Sequence, residues 1–157
     1  DIMKKLWIGC LSLLLVGCSA ATTYHARDFM GEGYGEYRLA ADRFTVTFRA
    51  NEYTEVEDVR KFALRRASEV ATNYGYRYFT VEEERDRSRK SFVKSKDEIP
   101  VSYLDLLEDK KNSQKRIVTK EVEIHRPAVE LMIKCYHQKP KEDVIDAYQF
   151  LAYQTSG

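Results

Sequence analysis

The sequence predicts an α+β domain in which an antiparallel sheet carries one main helix on a face, and three observations lead there. Residues Phe44 to Ala50 alternate apolar Phe44, Val46, Phe48 and Ala50 with Thr45, Thr47 and Arg49, the period of a half-buried strand. Residues Glu55 to Tyr74 place Val59, Phe62, Ala63, Ala67, Val70, Ala71 and Tyr74 at helical spacing, and Gly75 supplies the stop. Tyr76 to Glu83 then returns to aromatic and β-branched composition, which favours a strand. With a strand over Glu36 to Ala40 completing a hairpin, the unit is a β-β-α-β core. Further strands and a short C-terminal helix are expected after it.

Upstream of this core, Asp1-Ile2 precede Met3, the expected start, and Lys4-Lys5 precede the apolar run Leu6 to Val16. A cationic start followed by a short apolar run is the form of an export signal. At about 1.5 Å rise per residue the run covers only about half of a hydrocarbon core of roughly 30 Å, so removal is expected over retention as a membrane span. Residues 1–17 are therefore read as a signal peptide. The run closes on Leu15-Val16-Gly17-Cys18, which resembles the lipobox of bacterial lipoproteins. That resemblance implies cleavage before Cys18, with diacylglycerol on its sulfur and an acyl chain on the new amino group. Two or more chains hold a protein firmly at a bilayer, whereas one does so marginally. Cys10 also follows a glycine, but almost no apolar stretch precedes it. A cytosolic domain with a buried apolar N-terminal helix is the competing reading. Gly9 and Gly17 suit such a helix poorly, and Lys4-Lys5 would be unexplained. Ser19 in place of aspartate implies, by the sorting rule of such lipoproteins, an outer-membrane anchor with the domain facing the periplasm.

Composition limits what the domain can do. The 157 residues carry a net charge of +1, and without residues 1–17 cations and anions balance. Balanced charge argues against general nucleic-acid binding. The remaining length suffices for one core. With Cys18 acylated, Cys135 would be the last thiol, and no intrachain disulfide would form.

Residues 18–29 are small and polar, a composition that predicts a flexible tether, and 30–157 form the single domain. Gly31-Glu32-Gly33-Tyr34-Gly35 spaces glycines as a phosphate loop would. It is read otherwise, because strands rather than a strand and a helix flank it. Ala41-Asp42-Arg43 is the expected hairpin turn. Thr54-Glu55-Val56-Glu57 has the form of a capping box for the main helix. Residues 84–116 read as a charged insertion, in which Arg85 to Lys96 is strongly basic and predicts a solvated loop or edge strand. Pro100 to Leu107 can form a short strand or helical turn, and Glu108 to Lys115 is polar linker. Ile117 to Ile124 alternates again, with Val118, Val122 and Ile124 on one face. Pro127 interrupts, and Val129 to His137 resumes with Val129, Leu131, Ile133 and Cys135 on one side. Either two strands joined at the proline or one broken edge strand fits. After Lys139-Pro140-Lys141, Asp143 to Tyr153 offers a closing helix that aligns Val144, Ala147, Tyr148 and Leu151.

A pattern runs through Gly33-Tyr34, Leu39, Phe44 to Asn51, Ala63 to Glu69 and Gly75 to Phe79, then Arg126-Pro127, the strand to Tyr136, Lys139-Pro140 and Asp146-Ala147. With the lipobox, it resembles an uncharacterised family of small bacterial lipoproteins. The resemblance spares about residues 84–116, and Ala50 stands where the pattern usually has glycine. It implies the anchor and the fold, and no activity.

No catalytic group converges from the sequence. Cys135 and His137, with His125, could make part of a soft metal or thiol site if one cleft gathered them; this is the basis of the alternative, an envelope hydrolase or metal-handling protein. A structural zinc site wants four ligands, and only three histidines and this thiol are to hand. Glu82-Glu83-Glu84 is more simply a solvated strand end than a carboxylate pair across a cleft, and Arg65-Arg66 are expected to flank the buried helical stripe. The tyrosines around the sheet, Tyr34, Tyr37, Tyr53, Tyr76 and Tyr78 among them, either cap the core or make a recognition surface. The expectation is a non-enzymatic binding or scaffolding lipoprotein with no cofactor beyond the lipid on Cys18. Its partners would be the bilayer and an envelope protein, met through Tyr34, Tyr37, Tyr76, Tyr78, Arg85, Arg87, Arg89 and Lys90. The basic stretch could also grip anionic lipid.

Overall fold

A computed structural model describes residues 20–99 and 116–154, with the side chains of 97–99 and 116–118 left out. The signal, Cys18, Ser19 and the segments Pro100 to Leu107 and Glu108 to Lys115 lie outside the described residues. The chain is α+β, as expected. In order it runs β1 Gly33–Arg38, β2 Arg43–Arg49, α1 Val56–Asn73, β3 Tyr78–Asp86, β4 Arg89–Ile99, β5 Arg116–Arg126, β6 Ala128–Tyr136, β7 Ile145–Asp146 and α2 Ala147–Gln154. Five strands form an antiparallel sheet in the order β1-β2-β6-β3-β7, and β4 pairs β5 in a separate ribbon.

Alternation along β2 and β6 decides which face is core. Phe44, Val46 and Phe48 of β2 and Val129, Leu131, Ile133 and Cys135 of β6 are buried with Phe79 of β3 against Val59, Ala63, Leu64, Ala67, Val70 and Ala71 of α1. The other face, which the helix does not touch, carries Tyr37, Thr45, Arg49, Glu130, Met132 and Lys134 at the intervening positions. Gly75, at φ +85°, ends α1 by letting the Tyr76 N–H reach back to the Ala71 carbonyl at 2.8 Å. The closing helix starts later than its apolar spacing suggests. Ile145 and Asp146 pair with Phe79 and Tyr78 as β7, and Asp146 Oδ1 then accepts the Tyr148 and Gln149 N–H groups as an N-cap. Tyr148 is consequently exposed, and Ala147 and Phe150 face the core.

Three expectations are corrected. Residues from Ala20 onward are docked rather than a free tether. Thr22 is buried, Tyr24 stacks on Phe48 and contacts Tyr34 and Phe62, and Ala26 bridges Tyr34 at the edge of β1. Gly33, at φ +109°, permits this approach, because a Cβ there would sit 2.5 Å from the His25 carbonyl oxygen. The capping box does not form: Glu55 is the N-cap of α1 without a side-chain bond. The Thr54 hydroxyl instead accepts the Thr22 N–H and donates to Asn51 Oδ1, both at 2.8 Å. Finally, the alternation of β5 is not a core pattern, since Val122 remains 42% exposed.

The ribbon continues the β3–β6 hairpin. After a bulge between Val81 and Glu83, β3 pairs β6 from Glu83↔Met132 to Asp86↔Val129, and β4 pairs β5 from Arg89↔Arg126 in the same register. Pro127, fully buried, makes the bend, and its carbonyl accepts the Ala50 N–H at 2.9 Å. Eleven residues per strand make an arm roughly 37 Å long at the usual strand rise. Its cross-strand neighbours put Val93, Val122 and Ile124 on one face and Lys90, Phe92, Lys94, Glu121 and Glu123 on the other.

Candidate functional site

The ribbon root is where the sheet, the ribbon and the docked N-terminal segment meet. A cavity of about 380 Å³ opens there, walled by Ala20, Met30 to Glu32, Arg49 to Tyr53, Arg89 and Arg126 to Ala128. Arg49 reaches it as the last residue of β2, on the face opposite the helix. Arg89 and Arg126 reach it as the first cross-strand pair of the ribbon. Arg27 lies beside them: a Cβ on Gly35 would be 3.2 Å from its Nη2. The cavity wall also holds two carboxylates. Glu52 accepts from Arg126 Nε at 3.4 Å, and Glu32 accepts from the Thr22 hydroxyl at 3.2 Å.

Charge pairing separates the arginines. Arg126 has Glu52, whereas no carboxylate among the described residues pairs with Arg27, Arg49 or Arg89. Burial, and then the guanidiniums of Arg89, Arg27 and Arg87, press Arg49 below the usual arginine value, with Glu130 acting the other way. Four backbone donors in the wall are already used. The Ala50 N–H goes to Pro127, Asn51 to the Thr22 hydroxyl, Glu32 to Asp28 and Ala128 to Ser88. A ligand here would meet guanidinium donors, which suit oxyanions in a forked geometry.

The basic stretch is not one cationic patch. Arg85 bonds Glu83 at 2.6 Å and approaches Glu130, Arg87 bonds Glu130 at 3.0 Å, and Lys90 meets Glu123 at 3.3 Å. Arg89 alone of the four is unpaired, and the fold groups it with arginines distant in sequence. The tyrosines also divide. Tyr34 lies under Arg66, whose guanidinium is 4.2 Å from the ring and is fixed to Glu36 and Glu69 at 2.7 and 2.9 Å. Burial, then the Glu69 hydrogen bond, raises the neighbouring Tyr24 phenol above its ordinary value. Tyr76 donates to the Ala41 carbonyl and stacks on His137. Tyr78 is half-buried beside Arg77. Tyr34 and Tyr76 thus serve packing, and Tyr37 is left exposed on the open sheet face.

The fold does not gather Cys135, His125 and His137 in one cleft. Cys135 is in the core, where burial, aided by Asp42, pushes its thiol up to about 12, a value that disfavours the nucleophilic thiolate. His137 donates to the Gly75 carbonyl, and His125 stands on the ribbon beside Glu52 to Val56. Among the described residues, no group of three or more His, Cys, Asp or Glu side chains is placed to hold a metal ion. Sequence reading missed Arg27, Arg49 and Arg126. The available signal was Arg49 itself, a charge at an alternate position of a core strand next to its end. Comparison with protein families, with curated proteins and with solved structures returned no match to this chain.

Proposed function

We propose that this chain is a lipid-anchored lipoprotein of the bacterial envelope, held at the outer membrane with its domain in the periplasm. There it acts as a non-enzymatic binding module for an envelope protein. The anchor is supported by the short apolar run that ends in Leu15-Val16-Gly17-Cys18. Its likeness to the uncharacterised lipoprotein family supports the same assignment.

The observation that carries the binding role is the β4–β5 ribbon. It stands outside the five-stranded sheet and keeps Phe92, Val93 and Val122 between 42% and 67% exposed. A two-stranded ribbon is marginal alone in water and gains most from a surface that covers its apolar face. Val93, Val122 and Ile124 are the side chains to be covered. The test is site-specific photo-crosslinking in native envelopes, with the photoreactive group at Val122 and a control at Tyr153. A discrete protein adduct at Val122 that is absent at Tyr153 and lost in Val93→Lys is expected. Equal labelling at both positions, or no incorporation of radiolabelled palmitate at Cys18, sinks the reading.

A further inference from the structure

The ribbon-root cavity and the chain's N-terminal side lie together, and this carries a second site. Ala20 lines the cavity. Cys18, the proposed anchor, precedes Ala20 by two residues in the chain. The turn Asp28 to Gly31, whose Met30 and Gly31 line the cavity, holds Phe29 99% and Met30 70% exposed. That turn is ordered rather than loose. Asp28 Oδ1 accepts the Met30 and Glu32 N–H groups at 2.9 and 3.1 Å, so the two apolar side chains are held outward. Exposed apolar tips, three guanidiniums without carboxylate partners and Ala20, where the described chain begins, therefore share one side of the domain.

We propose that this side rests on the bilayer and that the cavity binds the phosphate of an anionic membrane lipid. Arg49 and Arg89 grip the phosphate oxygens, Arg27 adds charge beside them, and Phe29 and Met30 enter the headgroup layer. Arginine suits this role because its planar fork matches phosphate oxygens, and a polybasic surface near an acyl anchor reinforces membrane attachment. Of the two carboxylates in the wall, Glu52 pairs with Arg126, and Glu32 accepts the Thr22 hydroxyl and keeps its charge, so the guanidiniums of Arg27, Arg49 and Arg89 outweigh it. The orientation rests on the lipid anchor proposed above, whereas the grouping of the arginines stands on the fold.

The experiment uses the lipidated chain in nanodiscs of phosphatidylcholine with or without phosphatidylglycerol, after palmitate incorporation has been scored in the same preparation. A fluorophore on Met30→Cys reports depth through quenching by brominated acyl chains; Cys135 is buried and stays unlabelled. Quenching is expected to rise with phosphatidylglycerol. Arg49→Gln and Arg89→Gln should each need about fivefold more of that lipid for the same signal. Lys94→Gln, the same charge loss on the opposite ribbon face, should leave it unchanged. A preparation without palmitate overturns the anchor. A palmitate-bearing preparation whose quenching ignores phosphatidylglycerol, or falls equally in Lys94→Gln, overturns the headgroup site. A response of the Met30 fluorophore to inorganic phosphate in detergent that is lost in Arg49→Gln, without any response to phosphatidylglycerol, overturns the lipid as its ligand.

Discussion

Single side chains at the N-terminal side of the domain have tertiary duties that their local sequence does not announce. Thr54 precedes the main helix as a capping residue would, yet its hydroxyl serves a strand-like segment far away in sequence. It accepts the Thr22 N–H while Thr22 Oγ1 accepts the Asn51 N–H, and Asn51 Nδ2 bonds the Ala20 carbonyl at 2.7 Å. Thr54→Val keeps the shape and leaves the Thr22 N–H buried without an acceptor. A loss of about 1–3 kcal/mol in urea unfolding is expected, with faster exchange of the Thr22 amide. Thr54→Ser should recover most of it. An unchanged midpoint in the valine variant would mean that the docked segment contributes nothing to stability. The same lesson holds for Arg65 and Arg66. They do flank the buried stripe, but their guanidiniums lie over Tyr24 and Tyr34 at 3.9 and 4.2 Å and help hold the N-terminal segment down.

At the scale of elements, the ribbon depends on its elbow. Asp86 Oδ1 accepts the Ser88 N–H at 2.8 Å, and Ser88 Oγ in turn accepts the Ala128 N–H at 3.2 Å. The Ser88 hydroxyl, then its backbone N–H, holds the Asp86 carboxyl below its ordinary 3.8. The unfolded elbow therefore takes a proton before the folded one does. Its contribution is complete above about pH 4, and it fades as pH falls through the folded-state value. Relative to the intrinsic exchange rate at each pH, the protection of the Ser88 amide and of β4 should fall over that acid range in the wild type and stay flat in Asp86→Asn. An Asp86→Asn profile that matches the wild type would remove Asp86 from the elbow. The hairpin, the main helix, its Gly75 stop and the strand to Tyr136 were all legible in sequence, because each has a strong local period or breaker. The basic stretch was legible only as charge. Whether Lys90 is neutralised depends on a cross-strand partner, Glu123, that register alone supplies.

For the molecule as a whole, core and arm are separable. Among the described residues, none from Arg89 to Arg126 belongs to the hydrophobic core or packs against it. Replacing that segment by a short turn between Ser88 and Pro127 should leave a cooperatively unfolding domain with a midpoint shifted by only a few degrees, measured by circular dichroism. Loss of cooperativity would show that the arm is part of the folding unit.

Residue order alone determined the α+β class, the main helix with its stop and the alternating strands, because burial period and backbone restriction are local properties that short windows display. Tertiary structure decided what those windows cannot contain. It docked residues 20–28 against β1 and α1, because only close approach at Gly33 and an acceptor at Thr54 make that segment part of the fold. It turned the β5 alternation into an exposed arm, because among the described strands β5 pairs with β4 alone. It brought Arg27, Arg49 and Arg89 to one corner, because pairing of distant strands, and not position along the chain, sets which charges become neighbours.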